Sequence, residues 1–327
     1  MRKKANSLIY PMLLMVVLLF FLGSCKKDDD KDVVKQIPIL STSEVTKIGQ
    51  VTAQSGGVIS SDAGFTVTTR GVCWNTTGNP SITDAKTTDG LGAGSFTSKL
   101  TGLSVGTTYY LRAYATNSEG TAYGSTMVFE TLGSTFIDSR DGSVYKMVTI
   151  GEQIWMAENL KYLPSVVDPA TGSQTTPYYY VYGYDGTSVT AAKATTNYAT
   201  YGALYNWPAA CSSCPAGWHL PSDAEWTELT DYLGGTSIAG GKLKEAGTTH
   251  WSSPNIGATN ETGFTALPAG NRNGSGYFNS ITSGGNWWST TEFNNNAWYR
   301  SMYSTFSNVY RYDDYKELGF SVRCIKD

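Results

Sequence analysis

The run Thr107-Thr108-Tyr109-Tyr110-Leu111-Arg112-Ala113-Tyr114-Ala115-Thr116-Asn117 constrains this chain most. Tyr109, Leu111, Ala113 and Ala115 recur with period two, and Tyr110, Arg112, Tyr114 and Thr116 fill the alternate positions. That pattern is a strand with one face turned to a core. Gly64 to Trp74 also alternates over its middle and breaks at Gly78-Asn79-Pro80, and Ser95 to Leu100 runs into Gly102-Leu103. Short strands at this spacing, with no convincing helix, predict a β-sandwich over residues 37–133. Only 16% of residues are charged while Gly, Thr, Ser and Tyr abound, as a β-rich chain with many turns requires.

Three pieces of this stretch resemble the fibronectin type III-like repeats of Bacteroidetes surface proteins. They are Arg70-Gly71-Val72-Cys73-Trp74, Leu100-Thr101-Gly102-Leu103, and Tyr109 to Asn117 with Glu119-Gly120. The resemblance implies a spacer that lifts a terminal domain away from a membrane. Cys73 has no partner cysteine within the stretch and reads as a small buried hydrophobe.

The beginning of the chain supplies the membrane. Arg2, Lys3 and Lys4 precede an apolar run over residues 8–22, and Leu22-Gly23-Ser24-Cys25 follows. A charged start, a short apolar core and small residues before a cut predict a secretion signal over residues 1–24. Its end resembles the lipobox of bacterial lipoproteins, which implies lipidation of Cys25. Residues 25–36 read as a charged flexible tether, and Lys26-Lys27-Asp28-Asp29-Asp30 resembles the export tag of Bacteroidetes lipoproteins. The expectation is a protein lipid-anchored in the outer membrane and exposed at the cell surface, with the periplasmic face as the alternative. Loss of residues 1–24 removes three basic residues and no acidic one, leaving 21 basic against 27 acidic, a net charge near −6. No nucleic-acid partner is implied.

Beyond a short hinge at Gly133-Ser134 the composition changes. Eight of nine tryptophans and seventeen tyrosines lie in residues 134–327. Val144 to Gly151 alternates as a strand, and Gln153-Ile154-Trp155-Met156-Ala157-Glu158-Asn159-Leu160 follows it. These pieces resemble the Fibrobacter succinogenes major paralogous domain. So do Tyr201-Gly202-Ala203-Leu204-Tyr205-Asn206-Trp207, Cys214-Pro215-Ala216-Gly217-Trp218-His219-Leu220-Pro221-Ser222 and Gly319-Phe320-Ser321-Val322-Arg323-Cys324. The resemblance covers about residues 136–327 and implies a fold akin to C-type lectins and formylglycine-generating enzymes.

The residues read on their own agree. Ser222-Asp223-Ala224-Glu225 is a capping box. Trp226, Leu229 and Leu233 then share a helical stripe that Gly234-Gly235 ends. Short strands are expected at residues 263–267, 287–289, 297–303 and 320–325. One amphipathic helix on a small antiparallel sheet with long loops is an α+β plan. The whole chain is therefore mainly β and α+β, a sandwich followed by a C-type lectin-like domain.

The same resemblance implies a disulfide from Cys214 to Cys324, with Cys211–Cys324 as the alternative. A bridge across about 110 residues is worth roughly 4–5 kcal/mol in the chain-entropy model. Cys211-Ser212-Ser213-Cys214 has the spacing of a redox dithiol, but Pro215-Ala216-Gly217 is a poor helix start for one.

Catalytic and metal signatures are sparse. His219 and His250 are the only histidines, too few for a zinc site, and His219 reads as packed and hydrogen-bonded. There is no nucleophile elbow, phosphate loop or dinucleotide fingerprint. Formylglycine-generating enzymes use paired cysteines near the C-terminus, and Cys324 stands alone there. No cofactor or resident metal is expected. Calcium is a secondary option at Glu292, Asn294, Asn295, Asn296, Asp313 and Asp314. A hidden carboxylate pair such as Glu225 and Glu261 is the route to an enzyme.

What remains is binding. Trp251, Trp287, Trp288, Trp298, Tyr299, Tyr303, Tyr310 and Tyr312 crowd the last third among Gly, Asn and Ser. Aromatic faces with hydroxyl-binding polar groups suit glycan or protein recognition. The candidate ligand-binding residues are Trp251, Trp287, Trp298, Tyr303, Arg272 and Asn294. A Trp287-Trp288 pair in a strand puts one ring in and one out. The expected function is a non-catalytic recognition or adhesion module. A structural or assembly component is the alternative, with residues 177–185 as a contact arm.

Overall fold

The structure is a computed structural model and describes residues 36–327. The expected signal, the lipidation site Cys25 and the charged run behind it lie outside the described residues. Residues Gln36–Asp327 form one compact unit. Among them no helix is long and apolar enough to cross a membrane.

Eight strands come first: β1 (Ile39–Thr42), β2 (Ala53–Ser61), β3 (Thr69–Asn75), β4 (Ala85–Lys86), β5 (Gly94–Leu100), β6 (Thr108–Asn117), β7 (Gly120–Tyr123) and β8 (Met127–Glu130). They pair as β1-β2-β5 and as β4-β3-β6-β7, with β8 joined to β6. The alternation in β6 does what its period dictates: Tyr109, Leu111, Ala113 and Ala115 are all buried. Leu111 packs with Ala53, Val72, Leu100 and Phe129 in a core between the strands. Tyr114, on the opposite face, is buried too, because its hydroxyl donates to the carbonyl of Thr87 at 2.7 Å under the β4 segment.

The following elements are β9 (Thr135–Ile137), β10 (Val144–Ile150), β11 (Gln153–Met156), β12 (Tyr179–Tyr180), α1 (Val189–Lys193), α2 (Thr196–Tyr201), β13 (Leu204–Tyr205), α3 (Trp207–Ser213), β14 (Trp218–His219), α4 (Asp223–Tyr232) and α5 (Thr236–Leu243). Then come β15 (Ala269–Arg272), β16 (Phe278–Ile281), β17 (Gly284–Phe293), β18 (Asn296–Tyr303), β19 (Tyr310–Tyr315) and β20 (Ile325–Lys326). One five-stranded sheet runs β14-β20-β11-β10-β9 and the other β16-β15-β17-β18-β19. The second sheet is covered on both sides. Trp288 belongs to a core with Tyr205, Ala209, Phe320 and Cys324, while Trp287 belongs to a core with Trp226, Leu229, Leu243 and Trp251.

Helix α4 follows its sequence signals. The Ser222 hydroxyl accepts from the Glu225 amide at 3.2 Å, and the Glu225 carboxylate accepts from the Ser222 amide at 2.7 Å. Gly234 and Gly235 take φ of 97° and 99° just after it, which only glycine adopts without strain. The single-helix plan needs correction, since four more helices are present among the described residues. Helices α1, α2 and α3 have five to seven residues, too short for an apolar period, and rest on side-chain caps from Ser188, Thr195 and Asn206. Helix α5 carries Gly240-Gly241 because a Cβ at either would strike the carbonyl of Asn308 or Gly257.

Three further expectations change. Residues 263–267 form no strand, only a bridge from Ala266 to Lys244. The expected strand at 320–325 instead threads between elements, Phe320 bridging Tyr205 and Ser321 bridging Trp287, before β20 begins. Residues 177–185 are no free arm, because Tyr179, Tyr180 and Val181 are buried. Their hydrophobic surface is taken up by the second domain's own core.

The connection at Gly133-Ser134 is pinned rather than loose. The Gln50 amide donates to the carbonyls of Gly133 and Met147, both at 3.0 Å, and its oxygen accepts from the Thr149 amide at 3.0 Å. Cys214 and Cys324 are bonded, with Cα atoms 5.9 Å apart, which settles the pairing against Cys211.

Candidate functional site

The outer part of the β17–β19 sheet carries the surface feature of most interest. Register places Gly284 opposite Tyr303, Asn286 opposite Ser301 and Trp288 opposite Tyr299. It also places Tyr299 opposite Tyr312 and Ser301 opposite Tyr310. Side chains directly opposite share a face, so Trp288, Tyr299, Tyr303, Tyr310 and Tyr312 form one aromatic file. At one end Phe320 covers it, its ring centre 4.4 Å from Trp288 and 4.6 Å from Tyr299. At the other end the cover stops: Tyr312 is 42% and Phe306 48% exposed, and Tyr303 and Tyr310 are half-buried.

The rings there are ordered by one another. Tyr310 and Tyr312 are parallel, 7° apart, with centres 5.7 Å apart. Tyr303 stands 5.7 Å and Phe306 5.8 Å from Tyr310. A Cβ built on Gly284 would lie 3.1 Å from Cδ1 of Tyr303, so the ring uses the space a side chain would fill. Beneath them sits Lys244, fully buried, whose ammonium donates to the carbonyls of Tyr303 (3.0 Å), Phe306 (2.8 Å) and Ile256 (3.1 Å). Burial pushes this ammonium down to about 8, and three accepting carbonyls keep it charged at neutral pH. Burial, with Asp314 next, drives the Tyr299 phenol well above its usual range.

The opposite face of the same strands is a closed salt-bridge cluster. Arg300 and Arg311 both reach the Asp223 carboxylate, at 2.7 and 2.9 Å, and Arg311 lies 3.4 Å over the Trp298 ring. Burial notwithstanding, the two guanidiniums hold Asp223 below its ordinary range.

Of the six ligand candidates, only Tyr303 is brought into the aromatic file. Trp251, Trp287 and Arg272 are corrected to core positions, at 1%, 0% and 0% exposure. Trp251 donates to the carbonyl of Ala266, Trp287 to Asn159, and Arg272 to the carbonyls of Pro169 and Glu317. Trp288 is as buried as Trp287, so the one-in, one-out rule fails where a sheet has a core on each side. Trp298 is half-buried under Arg311, and Asn294 is exposed in the β17–β18 turn. Sequence reasoning places Tyr310 and Tyr312 in the cluster but misses Gly284, Phe306 and Lys244. The period-two spacing of Tyr310 and Tyr312 is the signal that was available.

Three of the six calcium candidates are paired with other side chains. Glu292 pairs with Lys316 at 3.0 Å, and Asn296 donates to Asp313 at 2.8 Å. Among the described residues no group of three or more His, Cys, Asp or Glu is placed to hold a metal ion. Cys211 remains a free thiol. Although the residue is exposed, desolvation of its sulfur and the nearby Glu292 push it up to about 12, the reverse of an activated redox thiol. Cys73 is buried and likewise pushed up, to about 11.

The family model described as the Fibrobacter succinogenes major domain matches residues 148–326. The chain belongs to that family. No curated protein matches it. Solved structures are similar to the chain over about a third of its length. The sensor domain of the anti-sigma factor RsgI4 of Pseudobacteroides cellulosolvens is 13% identical, covering 29% of this chain and 95% of that one at TM-score 0.24. The third fibronectin III domain of human KIAA0343 is 16% identical, covering 30% and 86% at TM-score 0.23. The sixth fibronectin type III domain of human fibronectin type III domain containing protein 3 is 23% identical, covering 32% and 89% at TM-score 0.22.

A second concavity lies where the Fibrobacter succinogenes major domain meets the sandwich. It is open to solvent on one side, with about 430 Å³ lined by Lys47, Glu152, Gln153, Glu225, Glu228 and Asp327, among others. His219 stands at its edge between two carboxylates, Nδ1 at 2.7 Å from Asp327 and Nε2 at 2.8 Å from Glu225. Partial burial works against its charge, but the bonds to Asp327 and Glu225 outweigh it and raise the imidazole above its ordinary value. Glu225 is held below its ordinary value despite burial, by the Ser222 amide and then by His219. Glu261, the other half of the imagined acid pair, ion-pairs with Lys242 at 3.0 Å. These groups are spent on one another.

Proposed function

We propose that this protein is a non-catalytic recognition module, displayed at the cell surface on a lipid anchor at Cys25, that binds a glycan through the Tyr303–Tyr310–Tyr312 face. One observation carries the reading: an ordered set of half-exposed to exposed rings at the open end of a rigid sheet. Monomeric surfaces rarely leave such rings clustered and uncovered unless something binds there. Rings packed on one another, with Tyr303 seated against Gly284, lose little freedom on contact, which favours affinity. In this reading the sandwich is a spacer, and the second domain has a C-type lectin-like fold, a view supported by a disulfide joining its helix entry to its last segment. The outer membrane is the expected location and bears the protein's other partner, the lipid bilayer.

The test is a glycan-array screen of the purified protein, repeated with Tyr310→Ala and Tyr312→Ala. Binding that drops at least tenfold in either variant supports the reading. A blank array from folded protein counts against it. One feature favours a second reading, assembly into a surface structure: β19 lies at a sheet edge and such edges accept further strands. Sedimentation that changes with protein concentration would favour it.

A further inference from the structure

We propose that the aromatic face selects an uncharged glycan chain, one sugar ring to each step from Tyr303 to Tyr310 to Tyr312, and rejects anionic ones; this rests on the glycan reading above. The charges around the face decide it. Register puts Asp314 opposite Ala297, on the same face as the tyrosines and two positions beyond Tyr312. The Glu292 carboxylate also lies opposite Ala297 and is already bound to Lys316. A sulfate or uronate laid along the file would meet Asp314 with no free cation among the described residues to offset it, and such uncompensated like charges cost binding.

Among the described residues, every cation near the face is committed elsewhere. Lys244 lies under the rings, fully buried, with all three protons on backbone carbonyls. Arg300 and Arg311 point to the other face and hold Asp223. Lys316 is taken by Glu292. The uncommitted groups are the ones a neutral sugar uses. Tyr303 and Tyr310 are half-buried and Tyr312 is exposed, and their phenols can both donate to and accept from sugar hydroxyls. The Asp314 carboxylate, one oxygen of which accepts from the Tyr315 amide at 2.8 Å, can accept from sugar hydroxyls through the other. Two steps of 5.7 Å separate the three ring centres; Tyr310 and Tyr312 are parallel and Tyr303 is turned 61° to Tyr310, so the file has room for a short run of sugars, stacked on the parallel pair and met by the Tyr303 ring at its end.

The experiment measures binding of the purified full chain to two series of oligosaccharides of matched length. One series is neutral (cello-, manno- and xylo-oligosaccharides) and the other anionic (oligouronates and sulfated oligosaccharides). We expect at least one neutral series to bind, with affinity that rises over the first few sugars. Affinity falls at least tenfold in Tyr310→Ala and Tyr312→Ala, and less in Tyr310→Phe, which keeps the ring. We expect Asp314→Lys to gain binding to the anionic series. Anionic oligosaccharides bound as tightly as neutral ones, through the same tyrosines, overturn the selectivity and leave the glycan reading standing. No binding of either series by folded protein overturns the glycan reading itself. Binding indifferent to both alanine variants overturns both, because the sugar then sits elsewhere.

Discussion

The ring of Tyr303 occupies the space that a side chain at Gly284 would need, on the neighbouring strand of the same sheet. Gly284 opens β17, and its missing Cβ is what lets a tyrosine lie down over the backbone. Replacing Gly284 with Val should lift the ring and disturb its neighbours Tyr310 and Phe306. The expected cost is about 1–3 kcal/mol in stability from overpacking, and a several-fold weaker affinity for any ligand of the aromatic face. Denaturant melts and a binding titration on the same sample check both.

Lys244 sets the height of that face from below. Replacing it with Met removes three donors from buried carbonyls of Ile256, Tyr303 and Phe306, at a net cost of about 2–3 kcal/mol. The pH dependence has a definite sign. The folded-state value is down at about 8 from the ordinary 10.5, so above pH 8 the unfolded chain keeps a proton that the native protein has released. Stability therefore rises with pH between about 8 and 10.5 through this group, by roughly 3 kcal/mol. The tyrosines push the other way near pH 10, so the measurement is the difference between wild type and Lys244→Met at pH 7.5 and 9.5. A difference that does not change across this interval would refute the assignment.

Much of this architecture was legible because local signals and tertiary placement agree. The period-two run in β6 and the capping box of α4 each dictate a conformation that any fold must accept. The aromatic cluster was legible only as composition. Whether Trp287 faces a ligand or a core depends on what covers each side of its sheet, and that cover comes from α4, α5 and the segment at Phe320, far away in sequence. Arg272 reads as a polar ligand group, yet it is a buried strut that donates to carbonyls brought from residues 169 and 317. Short helices such as α2 escape notice because six residues hold less than two turns of apolar pattern.

His219 predicts a pH effect of opposite sense. Its folded value is raised above the ordinary 6.5 by Asp327 and Glu225, against the pull of burial. The stabilisation is complete below pH 6.5 and is lost as pH climbs through the raised value. With its side chain 40% exposed, the effect after solvent screening should not exceed about 1 kcal/mol. Unfolding of wild type and His219→Ala at pH 6 and pH 8.5 should show a gap between the two proteins that narrows at the higher pH. A gap that widens instead would mean the imidazole is held neutral.

The disulfide gives the largest single effect. Cys214 ends α3 and Cys324 lies one residue before β20, so the bond closes 110 residues that include α4, α5 and the whole aromatic sheet. In the chain-entropy model a loop of that size is worth about 4–5 kcal/mol. Because Cys324 is fully buried, a Cys324→Ser variant also places a hydroxyl in an apolar core, so reduction of the wild-type protein is the cleaner comparison. We expect reduction to lower stability by about 3–5 kcal/mol, and Cys211→Ser to leave the oxidised protein unchanged, since that thiol takes no part in the bond. Equal losses in Cys211→Ser and Cys324→Ser would instead mean that Cys324 is bonded to Cys211 rather than to Cys214.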